Sequence, residues 1–350
     1  MGDDGALAGQ RARLDAEMER CGQWPDDAPW LREAFAAVPR DAFAPDRLWR
    51  WDGWAYVPLD RALDPGGWAA QVFGGVGSPA ITQVTAGVPS SSLSAPGVVA
   101  DMLSSLRLEP GHRVWDVGTG QGWTAALAAW RAGAGLVVST EVDGGLAAAA
   151  RARLAAAGLD AEVVAGDATR GRVPGGGQVD RLHATYAVET VPWSWVEAVR
   201  PGGRIVYPWG RLGYVALIVA RDGGSAQGWV HGLAQFMADR TGSGQAGGGP
   251  AAYAAVRAHA DPEVRQVLGC DPAGLEDWGV RWAVRVAVPD TVVFTGDDGV
   301  TLLHDGDRSW AEMHPGGDGR PVLLQGGPRR IGDEVLAAWA QWEDLGQPDL

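Results

Sequence analysis

The sequence predicts an α/β fold on a mostly parallel sheet, with a smaller α+β extension at its C-terminal end. Three observations predict it. Between residues 95 and 208, short apolar segments alternate with amphipathic ones, the rhythm of parallel strands covered by helices on both faces. A glycine-rich turn at 118–122 stands where the first such strand passes into a helix. There the backbone turns tightly and offers main-chain N–H groups to a ligand. Beyond residue 241 the rhythm changes to short strands and one closing amphipathic helix.

Residues 10–37 have helical spacing, with Leu14, Met18, Leu31 and Phe35 on the core side and breaks at Pro25 and Pro29. Residues 38–45 form a proline-punctuated turn. Trp49, Trp51 and Trp54 then alternate with polar residues, as in a half-exposed strand. The stretch 61–93, rich in Gly, Ser and Pro, reads as loops around one short strand at 81–84. The regular part predicts helices at 98–106, 123–132 and 146–157 and strands at 113–117, 136–141, 161–164, 179–185 and 203–208. Residues 241–250 read as a linker. After it, strands are expected at 284–288, 300–304 and 309–314, and a helix at 332–344 with Val335, Leu336, Trp339 and Trp342 on one side. The expected regions are therefore 1–90, helices and loops packing on the core; 91–240, the ligand-binding core; and 241–350, the extension.

Composition narrows the function. The net charge is −14, and every basic residue is Arg, because Lys is absent, as is Asn. That bias is typical of a GC-rich genome, but its field disfavours nucleic acid and anionic membranes and favours a cationic partner. No stretch approaches the roughly 20 apolar residues of a membrane helix. The N-terminus has no signal-peptide core, and Ala6 stands where a myristoylation signal needs Ser or Thr. Cys21 and Cys270 are the two cysteines, far apart, and no histidine has metal-ligand spacing. The expectation is a cytoplasmic, metal-free protein that binds neither nucleic acid nor membrane. His231, His304 and His314 are read as ordinary histidines or as polar groups at a substrate cleft.

The chemistry-bearing residues begin with Asp116-Val117-Gly118-Thr119-Gly120-Gln121-Gly122. Dinucleotide enzymes use Gly-x-Gly-x-x-Gly at such a junction; here the third glycine comes one residue earlier. Glu141 ends the second strand, where a carboxylate can accept both hydroxyls of a ribose. Gly166-Asp167-Ala168 follows the third strand. Ser92-Leu93-Ser94-Ala95-Pro96 precedes the first regular helix, where Ser94 could simply cap it with Pro96 in the first turn.

The spacing at 116–122, with its preceding carboxylate, resembles the first motif of class I methyltransferases. Ser94-Ala95-Pro96 resembles a motif of the protein-L-isoaspartate O-methyltransferases. So do Val38-Pro39-Arg40 with Phe43 and Pro45, Leu108-Glu109-Pro110-Gly111, His183, and Arg200-Pro201-Gly202-Gly203-Arg204. The resemblance spans about residues 30–220. It implies a Rossmann-like core and S-adenosyl-L-methionine as cofactor, with S-adenosyl-L-homocysteine as product. The cofactor would be held by Ser94, Asp116, Gly118, Thr119, Gly120, Gln121, Gly122, Trp123, Glu141, Val142, Gly166, Asp167 and Ala168. It implies that Ser94 lies between methyl donor and substrate carboxylate as the catalytic group, with Ser92, His183, Tyr186 and His231 toward a peptide or protein substrate.

The chain departs from the repair enzymes at Tyr186 and Glu189, which replace small residues, at Pro192-Trp193-Ser194-Trp195, and in the extension 241–350. In these it resembles a mostly actinobacterial subgroup. Those enzymes methylate an Asp of a ribosomally made precursor peptide, as for lanthipeptides and graspetides, leading to a succinimide or isoaspartate. On that reading the extension recognises the peptide, and a basic precursor suits the negative charge. General isoaspartyl repair is the alternative, and a noncatalytic leader-peptide binder or a small-molecule O-methyltransferase are further ones. A carboxylate nucleophile, with an ordinary pKa of about 3.9, needs no general base. Ser94 would hydrogen-bond it into line.

Overall fold

Residues 2–210, 212–240, 250–296, 298–316 and 320–348 are described by the computed structural model. The linker expected at 241–250 lies outside them apart from Pro250. The chain divides into two compact units, Met1–Thr241 and Gly242–Leu350.

In the first unit, the prolines at 25 and 29 separate α1 (Gly2–Arg20) from α2 (Trp30–Ala37). Leu14, Met18 and Leu31 are buried, and Phe35 packs edge-on against Trp24 and Trp123. A 3-10 turn, Arg40–Phe43, leads into β1 (Arg47–Trp51), β2 (Tyr56–Asp60), α3 (Pro65–Val72), β3 (Ala80–Thr85) and β4 (Val88–Leu93). The four strands form an antiparallel sheet in the order β2-β1-β3-β4. This sheet and α3 correct the expectation of loops over 61–93. α3 forms despite two glycines because Asp64 caps it, accepting the Gly67 N–H at 2.7 Å, and Pro65 opens its first turn. β3 and β4 are joined by Ala86-Gly87, both at positive φ (51° and 80°), the twist a two-residue hairpin favours. Trp51 is exposed at the end of β1, and Trp54 lies beyond the strand, in the turn, 93% exposed.

The main sheet follows: α4 (Pro96–Ser105), β5 (Val114–Val117), α5 (Trp123–Ala132), β6 (Val137–Glu141), α6 (Gly144–Ala156), β7 (Ala161–Ala165), β8 (Val179–Ala184), α7 (Trp193–Ala198), β9 (Val199–Trp209), β10 (Gly213–Val219) and β11 (Ala226–Leu233). Its seven strands run β7-β6-β5-β8-β9-β10-β11. β5 through β9 are parallel, while β10 and β11 add an antiparallel edge that the helix–strand rhythm did not reveal. β5 and β6 are buried throughout. The chain leaves β5 toward β6 and β7, then crosses back to β8 on the other side. The carboxyl end of β5 is thus the topological switch point, where open α/β sheets bind ligands.

The second unit contains α8 (Pro250–Arg257), β12 (Val264–Val267), α9 (Trp278–Ala287), β13 (Val292–Thr295), β14 (Thr301–His304), β15 (Trp310–His314), β16 (Val322–Gly326) and α10 (Ile331–Asp344). Its antiparallel sheet runs β12-β16-β15-β14-β13. The strand expected at 284–288 is instead the end of α9. Asp277 caps that helix by accepting from Gly279 and Val280. Val280, Val284 and Val288, four apart, are buried with Leu303, Met313 and Val335. His304 is buried and accepts the Gly306 N–H, and His314 pairs with Glu312. Among the described residues, no helix is long and apolar enough to cross a membrane.

Candidate active site

The switch-point turn is fixed from below. Gly118 N–H donates to Thr140 O at 2.8 Å, and Gly122 N–H closes the turn on Thr119 O at 2.8 Å. Gly118, Gly120 and Gly122 all have positive φ. A Cβ at Gly118 would come 2.7 Å from the Tyr186 ring, and one at Gly122 would press on Ala150 of α6. A Cβ at Gly120 would stand in ordinary contact with Ser91 Oγ and Ser92 O, 3.7 and 3.9 Å away. Beneath the turn Asp116 is buried, with Ser139 Oγ at 2.6 Å and His183 Nδ1 at 3.1 Å, and Thr119 Oγ1 meets Ser139 Oγ at 2.6 Å. His183 is therefore a buried partner of Asp116, not a group presented to a peptide.

Glu141 ends β6 beside this turn. Its Oε2 accepts the Gly120 N–H at 2.8 Å, and its Oε1 accepts Asp143 N–H at 3.0 Å and Arg240 Nη2 at 2.9 Å. Val142 follows, 44% exposed. Hydrogen bonds from Gln83 and from the first N–H groups of α6, with Arg240 nearby, hold the Asp143 carboxyl below its usual range.

The loop after β7 carries Gly166, Asp167 and Ala168. Asp167 Oδ1 accepts from Thr169 N and Oγ1. The residues that depart from the resemblance support it: Trp195 Nε1 donates to Ala168 O at 2.9 Å and Ser194 Oγ to Thr169 O at 3.0 Å. Trp195 also meets Tyr186 and Tyr207 edge-on. Burial, with Asp239, Asp167 and Glu141 nearby, pushes the Tyr186 phenol up, so it stays protonated and is no base.

Ser94 does not cap α4. Ala95 is the N-cap, with no side-chain cap bond, and Pro96 follows it. The Ser94 hydroxyl is half-buried in the connection from β4, whose Ser91 and Ser92 abut Gly120. That connection is tethered by Arg40, a buried cation whose Nη2 donates to Leu93 O at 2.9 Å and whose guanidinium lies 5.4 Å from the Trp123 ring centre. Burial pushes Arg40 down to about 9, still charged at neutral pH. Trp123 in turn donates to Val38 O at 3.0 Å, so residues 38–40 clamp both the donor turn and the Ser94 segment. Arg40→Met should lower turnover about tenfold by loosening Leu93 and Ser94, with little change in S-adenosyl-L-homocysteine affinity. Steady-state rates beside a calorimetric titration check this, and normal turnover would remove the positioning role.

The structure thus brings Ser92, residues 116–123, Glu141, Val142, Tyr186 and residues 166–168 to the carboxyl end of the sheet, with Ser94 two residues along the chain from Ser92. It does not bring His231 there. That ring lies between Ser105 Oγ (3.2 Å) and Arg204 Nη2 (3.3 Å), where burial and then Arg204 lower its pKa. Ser139 and Arg240, which hold Asp116 and Glu141, were not singled out by the sequence, and Trp195 was noted there only as a departure from the resemblance.

The site fits S-adenosyl-L-methionine: a cradle of three positive-φ glycines, a carboxylate at the end of β6, and a braced loop after β7. Fold and site define a class I methyltransferase whose donor is S-adenosyl-L-methionine. The family model for protein-L-isoaspartate(D-aspartate) O-methyltransferase (PCMT) matches residues 26–227. The Protein-L-isoaspartate O-methyltransferase of Methanopyrus kandleri is 34% identical over 211 residues, covering 59% of this chain and 80% of its own. That of Methylorubrum extorquens is 35% identical over 186 residues, 53% of this chain and 68% of its own. The solved structure of a putative protein-L-isoaspartate O-methyltransferase from Plasmodium falciparum in complex with S-adenosyl-L-homocysteine aligns with a TM-score of 0.47 and 16% identity. It covers 66% of this chain and 98% of its own. The chain belongs to the protein-L-isoaspartate(D-aspartate) O-methyltransferase family.

Proposed function

We propose that this enzyme methylates the free carboxylate of isoaspartyl residues in peptides and proteins. The observation that carries the reading is the Ser94 hydroxyl, not used as a helix cap, in a segment packed beside the donor turn. When bound, S-adenosyl-L-methionine supplies an electrophilic methyl group. Glu141 would hold the ribose hydroxyls, and the loop at 166–168, braced by Trp195, would border the adenine. Ser94 donates a hydrogen bond that orients the substrate carboxylate, an α-carboxyl in an isoaspartyl residue, which is already ionised because such groups titrate at about 3.5.

A second reading, methylation of an Asp side chain in a dedicated and basic precursor peptide, is favoured by two observations. Tyr186, where the family resemblance predicts a small residue, packs directly on Gly118. The β1–β2 hairpin also presents Trp51 and Trp54 to solvent in the sheet that contains β4. Twin peptides differing only in isoaspartate or aspartate at one position separate the readings. The first expects a methyl ester on the isoaspartyl twin and none above background on the other. Esterification of the aspartyl twin alone would replace it with the second.

A further inference from the structure

After β11 the chain does not leave the sheet. Residues 234–240 run back over its carboxyl end as a strap. Ala234 N–H donates to Leu212 O, and the Phe236 ring meets Tyr214 edge-on. Ala187 N–H donates to Met237 O at 2.8 Å, and Asp239 N–H donates to Ala187 O at 2.9 Å. The strap thus lies beside the residue that follows Tyr186. It ends at Arg240, which donates to Glu141 Oε1 at 2.9 Å and Gln83 Oε1 at 3.3 Å and lies 3.8 Å from Asp143 Oδ2. Gln83 also donates to Asp143 Oδ2 at 3.0 Å, so the end of the strap is tied to both β3 and β6. The whole strap lies beyond residue 227, where the family match stops.

Each carboxylate oxygen accepts about two hydrogen bonds. Glu141 Oε1 already accepts two, from Asp143 and Arg240, and Oε2 accepts one, from Gly120. A ribose diol bonding to both oxygens finds room on Oε2 but none on Oε1. We propose that Arg240 is a displaceable clasp on the donor site: it holds Glu141 when the donor is absent and must leave Oε1 before both ribose hydroxyls bind. The clasp rests on the donor-site reading above and adds a competitor to it. Glu141 is buried and Arg240 is 30% exposed, so the arginine has water to move into while the carboxylate does not.

The test is calorimetric titration of the full chain with S-adenosyl-L-homocysteine, for the wild type, Arg240→Ala and Arg240→Lys. Arg240→Ala should bind about 3- to 10-fold more tightly, the scale of one charge-assisted hydrogen bond lost from the competing state. Arg240→Lys, a cation without the planar fork, should fall between. Thermal melts verify that each variant is folded. Equal or weaker binding by Arg240→Ala, with the wild type binding normally, would overturn the clasp and leave the donor site standing. No binding by any of the three would overturn the donor site itself, and the clasp with it.

Discussion

Gly120→Val should weaken S-adenosyl-L-homocysteine binding by about 100-fold or more while leaving the chain folded. Gly120 has φ +53°, a conformation that costs a residue with a Cβ roughly 1–2 kcal/mol and suits a β-branched one least. The added methyls would also press on Ser91 and Ser92, which a Cβ alone would only touch. Relieving the strain would rotate the Gly120 N–H away from Glu141 Oε2, removing a bond that orients the Glu141 carboxylate. The loss of stability is small against the 5–15 kcal/mol of a typical domain, so titration and melting separate the two effects. Near-normal affinity would remove the turn from the donor site.

Ser94→Ala should lower methyl transfer about 100-fold, the scale of a misplaced reacting group, with donor affinity and melting temperature close to wild type. A capping serine would behave in the opposite way. Its loss would cost about 1 kcal/mol of stability and leave turnover nearly intact. Because Ala95 occupies the N-cap and forms no side-chain bond, the hydroxyl has no capping role to lose. Parallel rate measurements and melts decide the matter, and a normal rate would return Ser94 to a structural role.

What the sequence displayed was local. Residues 116–122, Glu141 and residues 166–168 each end or follow a strand whose apolar run and terminating turn are written in adjacent residues, and the structure places all three at the carboxyl end of one sheet. The helix Trp123–Ala132 was readable to its boundaries, because Gly122 and Gly133 flank an Ala-rich run broken by Thr124 and Arg131 alone. The failures came where local pattern was ambiguous or partners were distant. Val284, Val286 and Val288 alternate like a strand, but Val280, Val284 and Val288 also share a helix face, and Asp277 at the cap was the signal that would have decided it. β4 carries three serines in six residues, so backbone pairing to β3, not apolar alternation, makes it a strand. Asp64-Pro65 was a readable start for α3. No periodicity links Arg240 to Glu141, 99 residues apart in the chain, or turns His231 toward Ser105.

The hydroxyl pair beneath the donor turn has a direction. A serine hydroxyl carries one proton, and that of Ser139 is committed to the Asp116 carboxylate. The 2.6 Å contact between Ser139 and Thr119 must then be made with the proton of Thr119. What remains on Thr119 Oγ1 is lone pairs alone. At the centre of the glycine-rich turn, this side chain is a one-way partner: it attracts N–H and O–H groups and turns carboxylate oxygens away. The polarity is set by proton counting two residues below the surface, and Ser139→Ala would release it, leaving Thr119 free to offer its own proton instead.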